Sequence, residues 1–496
     1  MQSQDRMPLL EALTTSAQRY HAPFYAPGHK QGQGIPQPLA ELLGMSVFRA
    51  DLPELPELDN LFAPAGVIQE AQQLAATAFG AKQTWFLVNG STCGVMAAIL
   101  ATCGVGDKII LPRNIHQSAI AGLVLSGAIP VFINPEYDPS TDLAGSVTPA
   151  AVAAALAKHP DTKAAMVVYP TYHGVCGNLE AIAELVHQHH IPLLVDEAHG
   201  AHLSFHPDLP ASALSAGADL TIQSTHKVLG AMTQASMLHI QTQQVDAQRL
   251  SKALQLLQST SPSYLLLASL DAARQQMALY GEQLMSRTLQ LADDARDRIN
   301  RISGLSVLEF DHTHGFYDLD RTRLTVRVSG LGLSGFEADE ILHQQLGVTA
   351  ELPTSEHLTF ILSLGNTQAD IDKLVQSFTT ISNEYYPAQQ PTAWQELLQS
   401  WKAHFLYIHP SSFTICPYLS PRQAFFAPTE TLSVNHALDH ICAELICPYP
   451  PGIPALMPGE IIAPAAIEYL QQVLALGGSI TGCSDPTLKT IKVVSC

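Results

Sequence analysis

DLTIQSTHKVLG, residues 219–230, holds the reading that decides the fold. A strand-like run, Leu220-Thr221-Ile222, gives way to Ser224-Thr225-His226-Lys227 and closes on Gly230. Lysine and arginine together number only 25 of 496 residues, so a lysine set at a strand end asks for a reason. Isolated lysines are mostly solvated surface groups. An amine at a strand end among polar neighbours can instead attack a carbonyl and form a Schiff base, provided its pKa is lowered.

Working outward, short apolar runs alternate with helical periodicity from about residue 60 to 240. TWFLV (84–88), KIIL (108–111), IPVFI (129–133), AAMVVY (164–169), IPLLVD (191–196), DLTIQS (219–224) and ASMLHI (235–240) read as strands. Helices are expected at 94–103, 116–126, 149–158 and 179–189. Continuous apolar strands interleaved with helices predict a mainly parallel sheet of seven strands with both faces covered. Reactive groups in such sheets gather at the carboxyl ends of the strands. Asp196, closing LLVD, falls at such an end, 31 residues before Lys227.

A carboxylate at the mouth of a sheet needs a cationic or hydrogen-bonding partner. Pyridoxal phosphate offers what both residues lack, an aldehyde for the lysine and a protonated ring nitrogen for the aspartate. Its phosphate needs a cradle, and WFLVNGSTCGVMAAIL supplies a strand, a tight turn and a helix start bearing Ser91 and Thr92. Helix N-termini suit phosphates, although serine and threonine there are also ordinary caps. His116, after the strand KIILP, is a candidate to lie over the cofactor ring or a simple loop or capping residue. His187, His189 and His190 fall late in a helix, where histidine favours the dipole. His199 and His202 have a spacing open to zinc but neither HExxH nor a cysteine partner, so no metal is expected.

With 44 acidic against 25 basic residues the net charge is −19, which disfavours nucleic acid and is compatible with a cationic small molecule. The first twenty residues lack the pattern of a secretory signal, and no apolar run of about 18 residues is present to span a membrane. A cytoplasmic protein is expected. The eight cysteines form no CxxC pair and read as buried thiols. Beyond residue 245 the chain turns helical (245–258, 264–300). Strand, helix and strand then follow at 323–329, 335–346 and 358–364, before a proline-rich boundary near 385–393. The expected organisation is an N-terminal arm and linker at 1–60, a large domain at 61–300, a small α+β domain at 301–388 and a C-terminal α+β domain at 389–496.

APGHKQGQG, LPELDNLFAPAGVIQEAQ, GSTCGVMAAI, PRNIHQS, DEAHGAHLSFH, QSTHKVLGAMTQASMLH, GLSGFEADEIL and PYPPGIPALMPGE run in this order through nearly the whole chain. In that order they resemble the bacterial fold-type-I, pyridoxal-phosphate-dependent ornithine/lysine/arginine decarboxylases. The resemblance implies Lys227 as the Schiff-base lysine and Asp196 as the partner of the pyridine nitrogen. It implies Ser91, Thr92, Ser224 and His226 at the phosphate, His116 stacked on the ring, and His199 beside the cofactor. Two positions depart from the common pattern, Gln117 in place of lysine and Asn60 in place of aspartate. The family pattern starts near residue 8, which implies the compact form without a response-regulator-like domain. A homodimer or tetramer with active sites at the dimer interface is then expected rather than a decamer.

The reaction so implied is decarboxylation of a basic L-amino acid in polyamine biosynthesis. Arginine to agmatine comes first, with lysine to cadaverine or ornithine to putrescine as alternatives. Glu444, Asp51 and Glu54, with Glu57, are candidates to receive the substrate's cationic end. An aminotransferase or carbon-sulfur lyase would keep the same lysine and aspartate, and a non-catalytic cofactor-binding regulator would keep the cofactor without turnover.

Overall fold

The computed structural model describes residues 3–310, 315–386, 419–449 and 452–495. Residues 387–393 of the proline-rich boundary, Pro450 and Pro451 of the PYPPGIP stretch, Cys416 and Cys496 lie outside the described residues.

All seven expected strands are present, at Gln83–Leu87 (β1), Lys108–Pro112 (β2), Ile129–Ile133 (β3), Thr162–Val168 (β4), Leu193–Asp196 (β5), Leu220–Gln223 (β6) and Ser236–Ile240 (β7). They form one sheet in the order β1-β7-β6-β5-β4-β2-β3. The pairs β2/β3, β2/β4 and β5/β6 are parallel, and β7 runs antiparallel to both β6 and β1. The reversal at β7 has a local cause. A parallel return needs a crossover of about a dozen residues or more, usually through a helix. The twelve residues 224–235 between β6 and β7 reach that length but contain only the single-turn helix Thr225–Val228, too little helix to cross and cover a sheet face. Strands β5, β6 and β7 are buried at every position, which is why they read as continuous apolar runs.

Two compact units divide the chain, one of Met1–Ala101 with Leu194–Ser286 and one of Thr102–Leu193 with Arg287–Cys496. In the first, the stretch read as an arm contains the helix Pro8–Gln18, whose opening turn is tied to a buried carboxylate. Asp271 accepts the Leu9 N–H at 3.0 Å and pairs with Arg274, which also donates to the Gln4 and Arg6 carbonyls. The helix Gly90–Thr102 lies on the sheet at close range. A Cβ on Gly94 would stand 2.8 Å from both Ile222 Cγ2 and Leu87 Cδ1, so only glycine lets this helix approach β1 and β6 so nearly.

The second unit carries β2, β3 and β4 and two α+β assemblies. One is an antiparallel sheet of Ser306–Val307, Arg323–Arg327, His357–Ile361 and Leu352–Pro353, packed with the helices Gly335–Ile341 and Gln368–Tyr385 around Leu324, Val326, Leu358, Phe360 and Phe378. The other pairs Thr429–Ser433 with Thr490–Val494 and Cys447–Tyr449 with Ser479–Thr481, and covers them with the helix Pro464–Ala475. Among the described residues no helix is long and apolar enough to cross a membrane.

Substituting Gly94 by alanine tests the helix-to-sheet approach. The gain in helix propensity is about 0.5–1 kcal/mol. Overpacking against two fixed side chains removes about 1–3 kcal/mol. The Gly94→Ala protein is therefore expected to melt below the parent in calorimetry, and a raised Tm would contradict the close packing.

Candidate active site

Asp196 ends β5 and Lys227 lies in the single turn of helix after β6, so the pairing of two parallel neighbours brings both to one end of the sheet. Asp196 is 5% exposed. Among the described residues its hydrogen bonding consists of one bond, from the Ala198 N–H at 3.2 Å. Burial raises its pKa above the ordinary carboxylate value, and the nearby charge of Lys227 and the Ala198 N–H oppose that rise without cancelling it. A buried carboxylate so short of donors suits a cationic N–H ligand. Lys227 Nζ lies 3.0 Å from His199 Nε2. An ammonium has no lone pair, so with Lys227 protonated His199 accepts at Nε2 and carries its own proton on Nδ1. His199 is buried, on the loop that follows β5.

The phosphate candidates fall around one helix start. Ser91 and Thr92 occupy the first turn of Gly90–Thr102, where backbone N–H groups have no partners within the helix. Gly90 precedes them at φ +74°, a left-handed turn that glycine adopts freely. Ser224 Oγ donates to Ser91 Oγ at 2.8 Å, joining the end of β6 to this helix start. His226 donates from Nδ1 to the Ala235 carbonyl at 2.9 Å, and its N–H reaches the same oxygen at 3.1 Å, so the STHK turn is tied to the beginning of β7.

His116 belongs to the second unit. It is the N-cap of the helix Gln117–Ser126, its Nδ1 accepting from the Ser118 N–H at 3.2 Å and lying 2.8 Å from Ser118 Oγ. Capping was the plain alternative for this residue, and the bond at Nδ1 leaves a half-exposed ring with its proton on Nε2. Behind it, buried Arg113 donates to the Pro454 and Ala455 carbonyls and to Glu460 at 3.2 Å. Gln117 N–H donates to the Gly452 carbonyl, and a Cβ on Gly452 would come within 3.5 Å of His116 Nε2. The PRNIHQ and GIPALMPGE stretches are therefore two sides of one contact.

The substrate carboxylate candidates differ in what already occupies them. Glu444 is 8% exposed and accepts the Ser484 and Lys492 N–H groups at 2.6 and 2.8 Å, one on each oxygen. It holds the C-terminal assembly together. Asp51 accepts from His29 Nε2 at 3.0 Å, and Glu57 pairs with Arg19 at 2.6 Å. Glu54 accepts from Asn60 Nδ2 at 2.9 Å through one oxygen, while its buried Oε1 has no donor among the described residues.

Sequence reading missed the other side of the sheet. Glu197, adjacent to Asp196, is fully buried and accepts from the Ala213 N–H at 2.7 Å, the Thr221 hydroxyl at 2.9 Å and Gln223 Nε2 at 2.7 Å. Burial pushes its carboxyl up to about 7 despite these three donors. The signal was present as polar Thr221 and Gln223 alternating with Leu220 and Ile222 in an otherwise apolar strand.

The family model described as the Orn/Lys/Arg decarboxylase major domain matches residues 7–318, and that of the C-terminal domain of the same family matches residues 407–484. The chain is 40% identical to an arginine decarboxylase of Bacillus subtilis (strain 168) over 99% of its own length and 98% of the relative's. It is 39% identical to an arginine decarboxylase of Halalkalibacterium halodurans over 100% and 99%. Its fold matches the crystal structure of a Francisella novicida lysine decarboxylase with a TM-score of 0.81 at 21% identity, covering 99% of this chain and 81% of that one.

The raised pKa of Asp196 has a thermodynamic sign. A carboxyl with a higher pKa in the folded than in the unfolded state destabilises the fold above the folded value, and this penalty vanishes below the ordinary value of about 3.9. Asp196→Asn is thus expected to raise the Tm of cofactor-free protein at pH 8, by a margin that shrinks as pH falls toward 4. A margin independent of pH would show that the Asp196 carboxylate is not destabilised by burial.

Proposed function

The chain belongs to the Orn/Lys/Arg decarboxylase family, and from that premise we propose that it removes carbon dioxide from L-arginine to give agmatine, with pyridoxal phosphate bound at Lys227. The observation that carries the choice of arginine is the full-length likeness to arginine decarboxylases, which leaves lysine and ornithine behind it. The under-satisfied Asp196 carboxylate beside a lysine is the feature of this chain that fits the cofactor best.

Bound there, the cofactor supplies an aldehyde for Lys227 and a protonated ring that takes up the electron pair left behind by carbon dioxide. Asp196 would hold the protonated ring nitrogen. Ser91, Thr92, Ser224 and His226 would receive the phosphate, and His116 is the candidate to lie over the ring. Lys227, protonated as its ammonium, would be the acid that returns a proton to Cα. His199, 3.0 Å from Nζ, orients that amine and accepts one of its protons. A guanidinium needs a carboxylate with unused lone pairs. Glu54 therefore takes precedence over Asp51, and over Glu444 with both its oxygens engaged. The active assembly is a homodimer or tetramer with active sites at the dimer interface, and exposed Tyr20, Phe24 and Leu42 supply apolar surface for it.

Cofactor-loaded protein incubated separately with arginine, lysine and ornithine is expected to release carbon dioxide and form agmatine fastest. Keto acid formation in place of carbon dioxide would refute the decarboxylase reading, and cadaverine or putrescine as main product would overturn the choice of substrate. Lys227→Ala should lose the visible absorbance band and roughly 10²–10⁴-fold in turnover. Glu54→Gln should raise the KM for arginine about tenfold or more while lowering kcat less. An unchanged KM would remove Glu54 from the substrate site.

A further inference from the structure

Register places two carboxyl groups of one dipeptide on opposite faces of the sheet. Asp196 pairs with Ile222 in the parallel β5/β6 ladder, on the face covered by the helix Gly90–Thr102. Glu197 reaches Thr221 and Gln223, which alternate with Ile222 and so line the other face. On that face Thr221, His239 and Thr84 stand opposite one another across β6, β7 and β1. Gln223 Oε1 lies 3.1 Å from His239 Nε2, and His239 Nδ1 lies 2.7 Å from Thr84 Oγ1. The ring of Phe79 closes the far end, stacked on His239 with centroids 4.8 Å apart.

We propose that Glu197 is a positioning residue for Asp196, locking the end of β5 from the opposite face through a Glu197–Gln223–His239–Thr84 chain that has a single hydrogen-bond polarity. The polarity follows from the chemistry of the members. Above about pH 7 the Glu197 carboxyl has lost its proton, and a carboxylate only accepts, so Gln223 turns its Nε2 toward Glu197 and its carbonyl toward His239. That carbonyl only accepts, so His239 carries its proton on Nε2. Nδ1 then accepts, and the Thr84 hydroxyl donates to it. Burial lowers the His239 pKa to about 3, which keeps the ring neutral and the tautomer defined. The Glu197 N–H donates to the Ile222 carbonyl at 2.9 Å, so both its backbone and its side chain are fixed to β6. Among the described residues the carboxylate of Asp196, the adjacent residue, accepts one hydrogen bond, from the Ala198 N–H, and it depends on this anchor for its direction.

Glu197→Gln keeps the shape and reverses the order. The new amide must give its oxygen to the Ala213 N–H and turn its NH₂ toward Gln223. Gln223 then flips, and His239 moves its proton to Nδ1 to donate to Thr84. The readout is the imidazole ¹⁵N spectrum of histidine-labelled protein, with the His239 signals assigned by their loss in His239→Gln. Recorded well above pH 7, where Glu197 is ionised, the parent is expected to show the Nε2–H tautomer and Glu197→Gln the Nδ1–H tautomer. The exchange Glu197→Gln/Gln223→Glu should show the Nε2–H tautomer again, since a carboxylate moved onto β6 would accept from both neighbours. Finding Nδ1–H in the parent overturns the polarity without any variant having to fold.

The positioning role rests on the decarboxylase reading above only where turnover is measured. Glu197→Gln should lower kcat roughly tenfold to a hundredfold with little change in KM, and should shift the pH midpoint of the cofactor's visible band. The exchanged double variant should recover most of both. A switched tautomer with kcat and the visible band at parent values would reduce Glu197 to a structural residue. Were the parent inactive on every basic amino acid, the functional reading would fall, while the tautomer and the visible band would still decide this one.

Discussion

A carboxylate taken out of water must be given a cation or several donors, and β5 ends in two that meet this demand in opposite ways. Glu197 is surrounded by three donors from its own unit and is complete as the chain folds. Asp196 receives one backbone N–H and stays charged only against a raised pKa. Glu197 commits its carboxylate to architecture, and Asp196 beside it keeps a single backbone donor among the described residues. The surrounding parts arrange themselves about this difference. Parallel pairing of β5 with β6 carries Lys227 to the same end. The approach of the helix Gly90–Thr102 through Gly94 carries Ser91 to Ser224 on the same face as Asp196.

Strand positions were legible because β5, β6 and β7 are buried on both faces, so every residue must be apolar or hydrogen-bonded and the runs stand out from their surroundings. Lys227, Asp196 and Ser91 were legible for a related reason: polar residues ending such runs have few places to be except the mouth of the sheet. Glu197 escaped notice because a second acidic residue after Asp196 reads as redundant. Its meaning lies in Thr221, Gln223 and His239, which only the register of β6 and β7 brings within reach. Glu444 could not be read fully for the opposite reason. A glutamate beside a motif reads as available until the N–H groups of Ser484 and Lys492, forty or more residues later, are found on it. Of the two readings of His116, the structure shows the cap, and the bond at Nδ1 sets the direction of its ring.

Two features conserve geometry at the expense of ordinary stability. Gly94 gives up side-chain packing so that a helix start can stand close to the strand ends. Asp196 gives up solvation so that its charge is expressed where little water competes for it. Each is tolerated because a neighbouring element is over-determined: the helix is held by a largely buried face, and the strand end by the three donors on Glu197.

The antiparallel turn into β7 also has a consequence for the order of synthesis. β7 can pair with β6 as soon as the short STHK turn is made, but β1 has only β7 beside it in the sheet and was translated about 150 residues earlier. At about 5–20 residues per second, β1 and the apolar helix after it wait on the order of ten to thirty seconds on the ribosome before their partner emerges. The helix start bearing Ser91 is thus among the first parts of the site to be made, and it is seated only once β7 has emerged. Nascent chains stalled before residue 236 would present that apolar strand and helix to chaperones.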